Sequence, residues 1–150
     1  MALPRPHFVS VSATALAAAS PGFAESIDSP EWDLIGAIEI TEIATDTTYE
    51  VRKVFPAEIK DGVARFDITG FAVPLSMDGE VSELIIVSDM GFCPFCGDPE
   101  HGKALQVSLA TPIPMFEDGT RLTLRGTLET ITDPETWQSA LMRDAVVIEG

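Results

Sequence analysis

Cysteine and histidine are scarce in this chain of 150 residues, with two of each. Of the histidines, His7 and His101, only His101 lies beyond the first 24 residues. One histidine gives no Ser-His-Asp set that the sequence can single out. Basic residues are also few, 9 against 24 acidic, for a formal net charge of −15. Such a surface repels phosphate backbones, so nucleic acid and anionic lipid are poor partners. It favours cations, metals and basic proteins, and it also keeps a protein soluble. No run reaches the roughly 18 apolar residues of a membrane span, so direct membrane insertion is not expected. Gly91, Gly97 and Gly102 do not follow a Walker or dinucleotide pattern, so no phosphate-cradling loop is present. The acidic residues are many, but no spacing marks out a carboxylate pair for hydrolysis.

A hydrophobic content of 45% over this length suits one domain with a sizeable core. Residues 1–24 do not read as part of it. After Arg5, residues 8–19 are apolar or small without an acid, and Pro21-Gly22-Phe23-Ala24 follows. Gly22 and Ala24 fit the small-x-small site of a signal peptidase, so 1–24 is expected to be an export signal. Pro4, Pro6 and Pro21 argue against a core helix there. Cleavage would remove Arg5 and no acid, taking the net charge from −15 to −16. The protein is then periplasmic or otherwise exported, and its cysteines meet an oxidising compartment.

The remainder, 25–150, reads as short strands with turn punctuation and no internal repeat. Ser29 suits a helix cap, with Pro30 at the first helical position. Ile38 and Ile40 alternate with Glu39 and Thr41 as on a half-buried strand, and the phase inverts at Glu42-Ile43, which predicts a bulge or the strand's end. Residues 49–55 return as a second strand, and Pro56 stops it before one helical turn at 57–60. Phe66 and Ile68 alternate with Arg65 and Asp67, and Gly70 suggests a bulge or barrel bend. Turns follow from Asp61-Gly62, from 77–80 and from Asp118-Gly119. Residues 81–88 and 104–110 read as apolar strands, with an interruption at Thr111-Pro112-Ile113-Pro114. Leu122, Leu124, Gly126 and Leu128 mark a long strand over 120–132, and 141–148 form the last. A short helix is expected to start at 133–137. Trp32 and Trp137 are expected in the core or as barrel-end plugs. Glu39, Glu42, Glu80 and Glu83 read as solvated positions. Five or more short strands with mid-strand glycines predict a mainly β fold, a small closed or partly open barrel with one or two short helices.

Between the strands 81–88 and 104–110 lies Gly-Phe-Cys-Pro-Phe-Cys-Gly-Asp-Pro-Glu-His-Gly, residues 91–102. It holds Cys93, Cys96 and His101 together. Cys-Pro-Phe-Cys-Gly has the form of a zinc knuckle, two thiolates from a tight turn with glycine beneath the metal. His101 supplies a third donor, and Asp98, Asp89, Glu100 or water a fourth, for a tetrahedral site. A site completed across a dimer would also meet that count. Two other readings stand beside this one. A Cys93–Cys96 disulfide would brace the loop, with modest stabilisation because the closed loop is short. A glutaredoxin-like exchange pair is the third, although Gly97, Pro99 and Gly102 disfavour the helix that lowers such a thiol's pKa.

The segments 55–59, Asp61-Gly62 and Ile68-Thr69-Gly70-Phe71-Ala72-Val73-Pro74-Leu75 resemble an uncharacterised family of small exported bacterial proteins, known only as a domain of unknown function. Its members carry a Gly-aromatic-x-x-Pro-Leu strand, then an apolar strand and a cysteine-containing loop. The resemblance covers 32–149 and implies an OB-like barrel. Some members lie beside transporter genes of zinc-responsive systems. That implies a metal-linked accessory role, with zinc as ligand and a membrane transporter or another exported protein as partner. Where the family carries a proline-rich run after the cysteine, this chain has Gly97-Asp98-Pro99-Glu100-His101-Gly102.

Overall fold

Ser29 opens the first element of the computed structural model, which describes residues 26–77, 79–91 and 103–150. Helix α1 spans Pro30–Gly36, and the Ser29 hydroxyl accepts the Trp32 N–H at 3.4 Å. Pro30 stands in the first turn, where no N–H is needed, and Glu31 and Asp33 complement the positive helix end. The helix turns Trp32 and Ile35 inward. Trp32 is fully buried, and its indole N–H donates to the Thr69 carbonyl at 2.7 Å. Among the described residues α1 is the single helix. No helix among them is long and apolar enough to cross a membrane.

Strands β1 (Glu39–Ala44) and β2 (Tyr49–Val54) form an antiparallel hairpin closed by the polar turn Thr45–Thr48, where the Thr48 N–H reaches Thr45 Oγ1 at 3.0 Å. Its register runs unbroken from Glu39 opposite Val54 to Ala44 opposite Tyr49. Of the two outcomes expected at Glu42-Ile43, the bulge is absent and the strand ends one residue later, at Ala44. The half-buried face is only partly realised: Ile38 packs half-buried against the core, whereas Ile40 is exposed on β1, which lies outside the barrel. A two-stranded hairpin is marginal alone. This one is held by Val51, which is buried and donates its N–H to the Pro134 carbonyl at 2.8 Å.

Five strands make the barrel: β3 (Val63–Pro74), β4 (Glu80–Val87), β5 (Ala104–Pro114), β6 (Thr120–Thr130) and β7 (Ala140–Glu149). They close in the order β3-β4-β5-β7-β6, with β6 returning to β3. Only β5 and β7 run parallel among the described pairs. This is a small OB-like barrel, a five-stranded Greek-key arrangement. Alternation along each strand points Ile68, Leu84, Ile86, Leu105, Val107, Leu124, Leu128 and Met142 into one core. Glu39, Glu42, Glu80 and Glu83 face solvent as expected.

Four expectations change here. The bulge in β3 lies between Val63 and Phe66, and the register past Gly70 is regular. Gly70 is instead needed for a close approach. A Cβ there would lie 2.6 Å from Ile86 Cγ1, 2.7 Å from the Val87 carbonyl oxygen and 3.0 Å from Trp32 Cζ2. Strand β5 runs through Thr111-Pro112-Ile113-Pro114 rather than ending before it. Val81 pairs with Ile113 but Glu83 with Ser108, so β5 carries extra residues at that point, where Pro112 needs no ladder donor. Residues 133–137 form turns, not a helix start. Asp133 Oδ1 takes the Glu135 N–H at 2.8 Å, an Asx turn that competes with helix geometry. Trp137 is no barrel plug either: it is 50% exposed, and its indole N–H donates to the Tyr49 hydroxyl at 2.8 Å.

Candidate functional site

Strands β4 and β5 are antiparallel neighbours whose last pair is Val87 with Ala104. The connection that leaves them, 88–103, is the one that contains the cysteine motif. Cys93, Cys96, Asp98, Glu100 and His101 lie outside the described residues. The described structure therefore gives the two roots of that connection and, of its candidate donors, Asp89.

Both roots are fixed. The Ser88 N–H donates to the Lys103 carbonyl at 3.0 Å, and the Lys103 N–H returns to the Ser88 hydroxyl at 3.0 Å. Ser88 is the buried polar residue of the described core, and its carbonyl accepts the Ile27 N–H at 2.7 Å. Ser26 bridges Asp89 in the next step. Lys103 Nζ reaches Asp33 Oδ1 at 3.0 Å, which ties the second root to α1. Asp89, one of the possible fourth donors, lends Oδ1 to the Gly91 N–H at 2.6 Å. It closes an Asx turn at the first root. Among the described residues no group of three or more His, Cys, Asp or Glu could hold a metal ion.

A second feature was not singled out in the sequence. The outer face of β4 and β5, the 137–140 segment and β1 enclose an open groove of about 590 Å³. Ile40, Ile85 and Trp137 supply apolar surface, and Gln106, Gln138 and Ser139 supply polar groups. The Gln138 amide donates to Gln106 Oε1 at 2.8 Å. The available clue was Gln106 itself, a carboxamide between the core positions Leu105 and Val107, hence on the outward face of its strand.

Among the described residues, electrostatic perturbation falls on strands β2, β3 and β6. Arg125 and Asp67 are directly opposed on β6 and β3, and their side chains form a two-bond fork at 2.7 Å and 2.6 Å. The hydrogen bonds from Arg125 hold the Asp67 carboxyl below its ordinary range, and the same bonds raise the Arg125 guanidinium. Desolvation lowers the Lys53 ammonium, partly offset by the charge of Asp133. None of these groups lies in the connection 88–103 or lines the groove. No family model, curated protein or solved structure matches the chain.

Proposed function

We propose that the chain is an exported accessory protein that holds a transition metal, zinc by the character of its donors, in the connection between β4 and β5. Cys93, Cys96 and His101 supply two thiolates and an imidazole, and Asp98 the fourth donor. Two sulfurs, one nitrogen and one carboxylate oxygen form a donor set suited to tetrahedral zinc. Binding, rather than catalysis, is the role. A membrane transporter or another exported protein is the partner that would receive or supply the metal.

The observation that carries this reading is the concentration of soft donors. Both cysteines, and the sole histidine beyond residue 24, fall within nine positions of one connection, 93–101. The paired Ser88–Lys103 hydrogen bonds support it, because they set the two chain ends side by side at the barrel rim. A loop whose ends are already joined has less closure entropy to lose when a ligand orders it.

Zinc titration against a chromophoric chelator tests the proposal on the mature protein and three variants. Cys93→Ser, Cys96→Ser and His101→Ala are each expected to weaken zinc binding by about tenfold or more, as loss of one ligand in four requires. Zinc affinity unchanged in all three would overturn it. Loss in the cysteine variants alone, with reversible dithiol oxidation, would favour an exchange pair instead. Lower stability in those variants without any zinc uptake would favour a structural disulfide.

A further inference from the structure

We propose that the groove on the outer face of β4 and β5 is a second ligand site, one that takes a neutral saccharide. The inference does not rest on the metal reading. Its first support is an aromatic platform. Trp137 is half exposed, and its indole N–H donates to the Tyr49 hydroxyl, which restrains its orientation. A restrained indole beside water suits a ligand that is apolar on one face and polar at its rim. A sugar ring has that character, with C–H groups on its face and hydroxyls at its edge.

The second support is the pattern of polar groups. Gln138 and Gln106 share one hydrogen bond, which uses a donor of the first and the acceptor of the second. Among the described residues, no other partner is found for the Gln106 amide nitrogen or the Gln138 carbonyl oxygen. They leave a donor and an acceptor side by side, and each carboxamide retains this capacity if the amide assignments are exchanged. The Ser139 hydroxyl lies on the same lining. Adjacent donors and acceptors match vicinal hydroxyls, which both donate and accept.

The third support is charge. In a chain with 24 acidic and 9 basic residues, no charged side chain among the described residues lines this groove. That lining supplies no counter-charge to a carboxylate, a phosphate or a cation. The volume of about 590 Å³ falls within the roughly 300–1,000 Å³ typical of small-ligand sites. In barrels of this type the face of the second and third barrel strands, with the loop between the fourth and fifth, binds oligonucleotides or oligosaccharides. Here β4, β5 and the 131–139 connection occupy those places. The net charge of −15 disfavours the oligonucleotide.

The test uses the folded protein labelled with nitrogen-15 and reads its two indole N–H resonances. Trp137 reports the groove, and buried Trp32 serves as the internal control. Cellotetraose, maltotetraose, chitotetraose and a proline-rich decapeptide are titrated separately. At least one tetrasaccharide should move the Trp137 resonance saturably while that of Trp32 stays in place. Calorimetry should then show that Trp137→Ala and Gln106→Ala each weaken binding of that saccharide, by about tenfold for the loss of the aromatic platform. The Cys93→Ser chain should bind it as well as the parent does. No shift with any tetrasaccharide, or binding of the decapeptide alone, would overturn the proposal. So would saccharide binding that survives unchanged in both groove variants with native circular dichroism.

Discussion

Ser88 and Lys103 clasp each other across the mouth of the β4–β5 connection: each donates its backbone N–H to the other, at 3.0 Å in both directions. One acceptor is the Lys103 carbonyl and the other is the Ser88 hydroxyl, so the second bond depends on the identity of the side chain. The cysteine motif begins five positions beyond Ser88 and its histidine ends two before Lys103.

Ser88→Ala removes that hydroxyl and leaves the Lys103 N–H without its acceptor. The expected loss of stability is about 1 kcal/mol, the usual net worth of such a bond. Urea unfolding measures it, and amide exchange at Lys103 should quicken. Unchanged exchange at that amide would mean that the clasp is not needed to order the root.

Trp32 enters the barrel core from α1, and its indole is both core filler and donor to Thr69. Trp32→Ala should cost about 3–5 kcal/mol through the lost burial and the cavity left behind. Trp32→Phe keeps most of the apolar volume and loses the donor, so roughly 1–2 kcal/mol is expected. Equal losses in the two variants would contradict this division.

Gly70 lies beneath that indole. Gly70→Ala would bring a methyl group against the Val87 carbonyl oxygen at 2.7 Å, and a backbone atom there cannot rotate away. A destabilisation of about 1–3 kcal/mol is expected from overpacking, measured by thermal unfolding. A neutral result would show that β3 and β4 can separate without loss.

The Asp67 carboxyl titrates below its usual range because Arg125 holds it. A lowered folded pKa gives stability that is complete above the ordinary carboxylate value, near about 4. It is lost as the pH falls through the lowered folded value. Asp67→Asn should therefore flatten the acid side of the stability profile and leave its shape above about pH 5 unchanged. The pair is partly exposed, so the difference should shrink in high salt. An acid limb as steep in the variant as in the parent would sink this assignment.

Local chemistry made much of the fold readable in advance. Ser29 before Pro30 announced the helix, and Leu122, Leu124 and Leu128 alternate inward on β6 as their spacing predicts. Gly62, Gly79 and Gly119 each sit at an expected turn with positive φ, a region glycine enters without steric cost. Non-local relations were hidden. Nothing in β5 announces that β7 will run parallel beside it, since that pairing joins Gln106 to Leu141 across the whole of β6. The prolines at 112 and 114 resembled a strand end because local propensity carries no record of a bulge that tolerates them. Trp137 suggested a core residue by its type alone, and its burial depended on where the β6–β7 turn carried it. Of the two candidate sites, the cysteine motif is written in contiguous residues. The groove joins β1, β4, β5 and the 137–140 segment, which only the closed barrel brings together.

Metal content and free-thiol count, taken on one sample of mature protein from its export compartment, test the central claim most directly. The account predicts about one zinc per chain, with both thiols unreactive until a chelator removes the metal. A chain with no metal and no free thiol, and no zinc uptake after mild reduction, would contradict it.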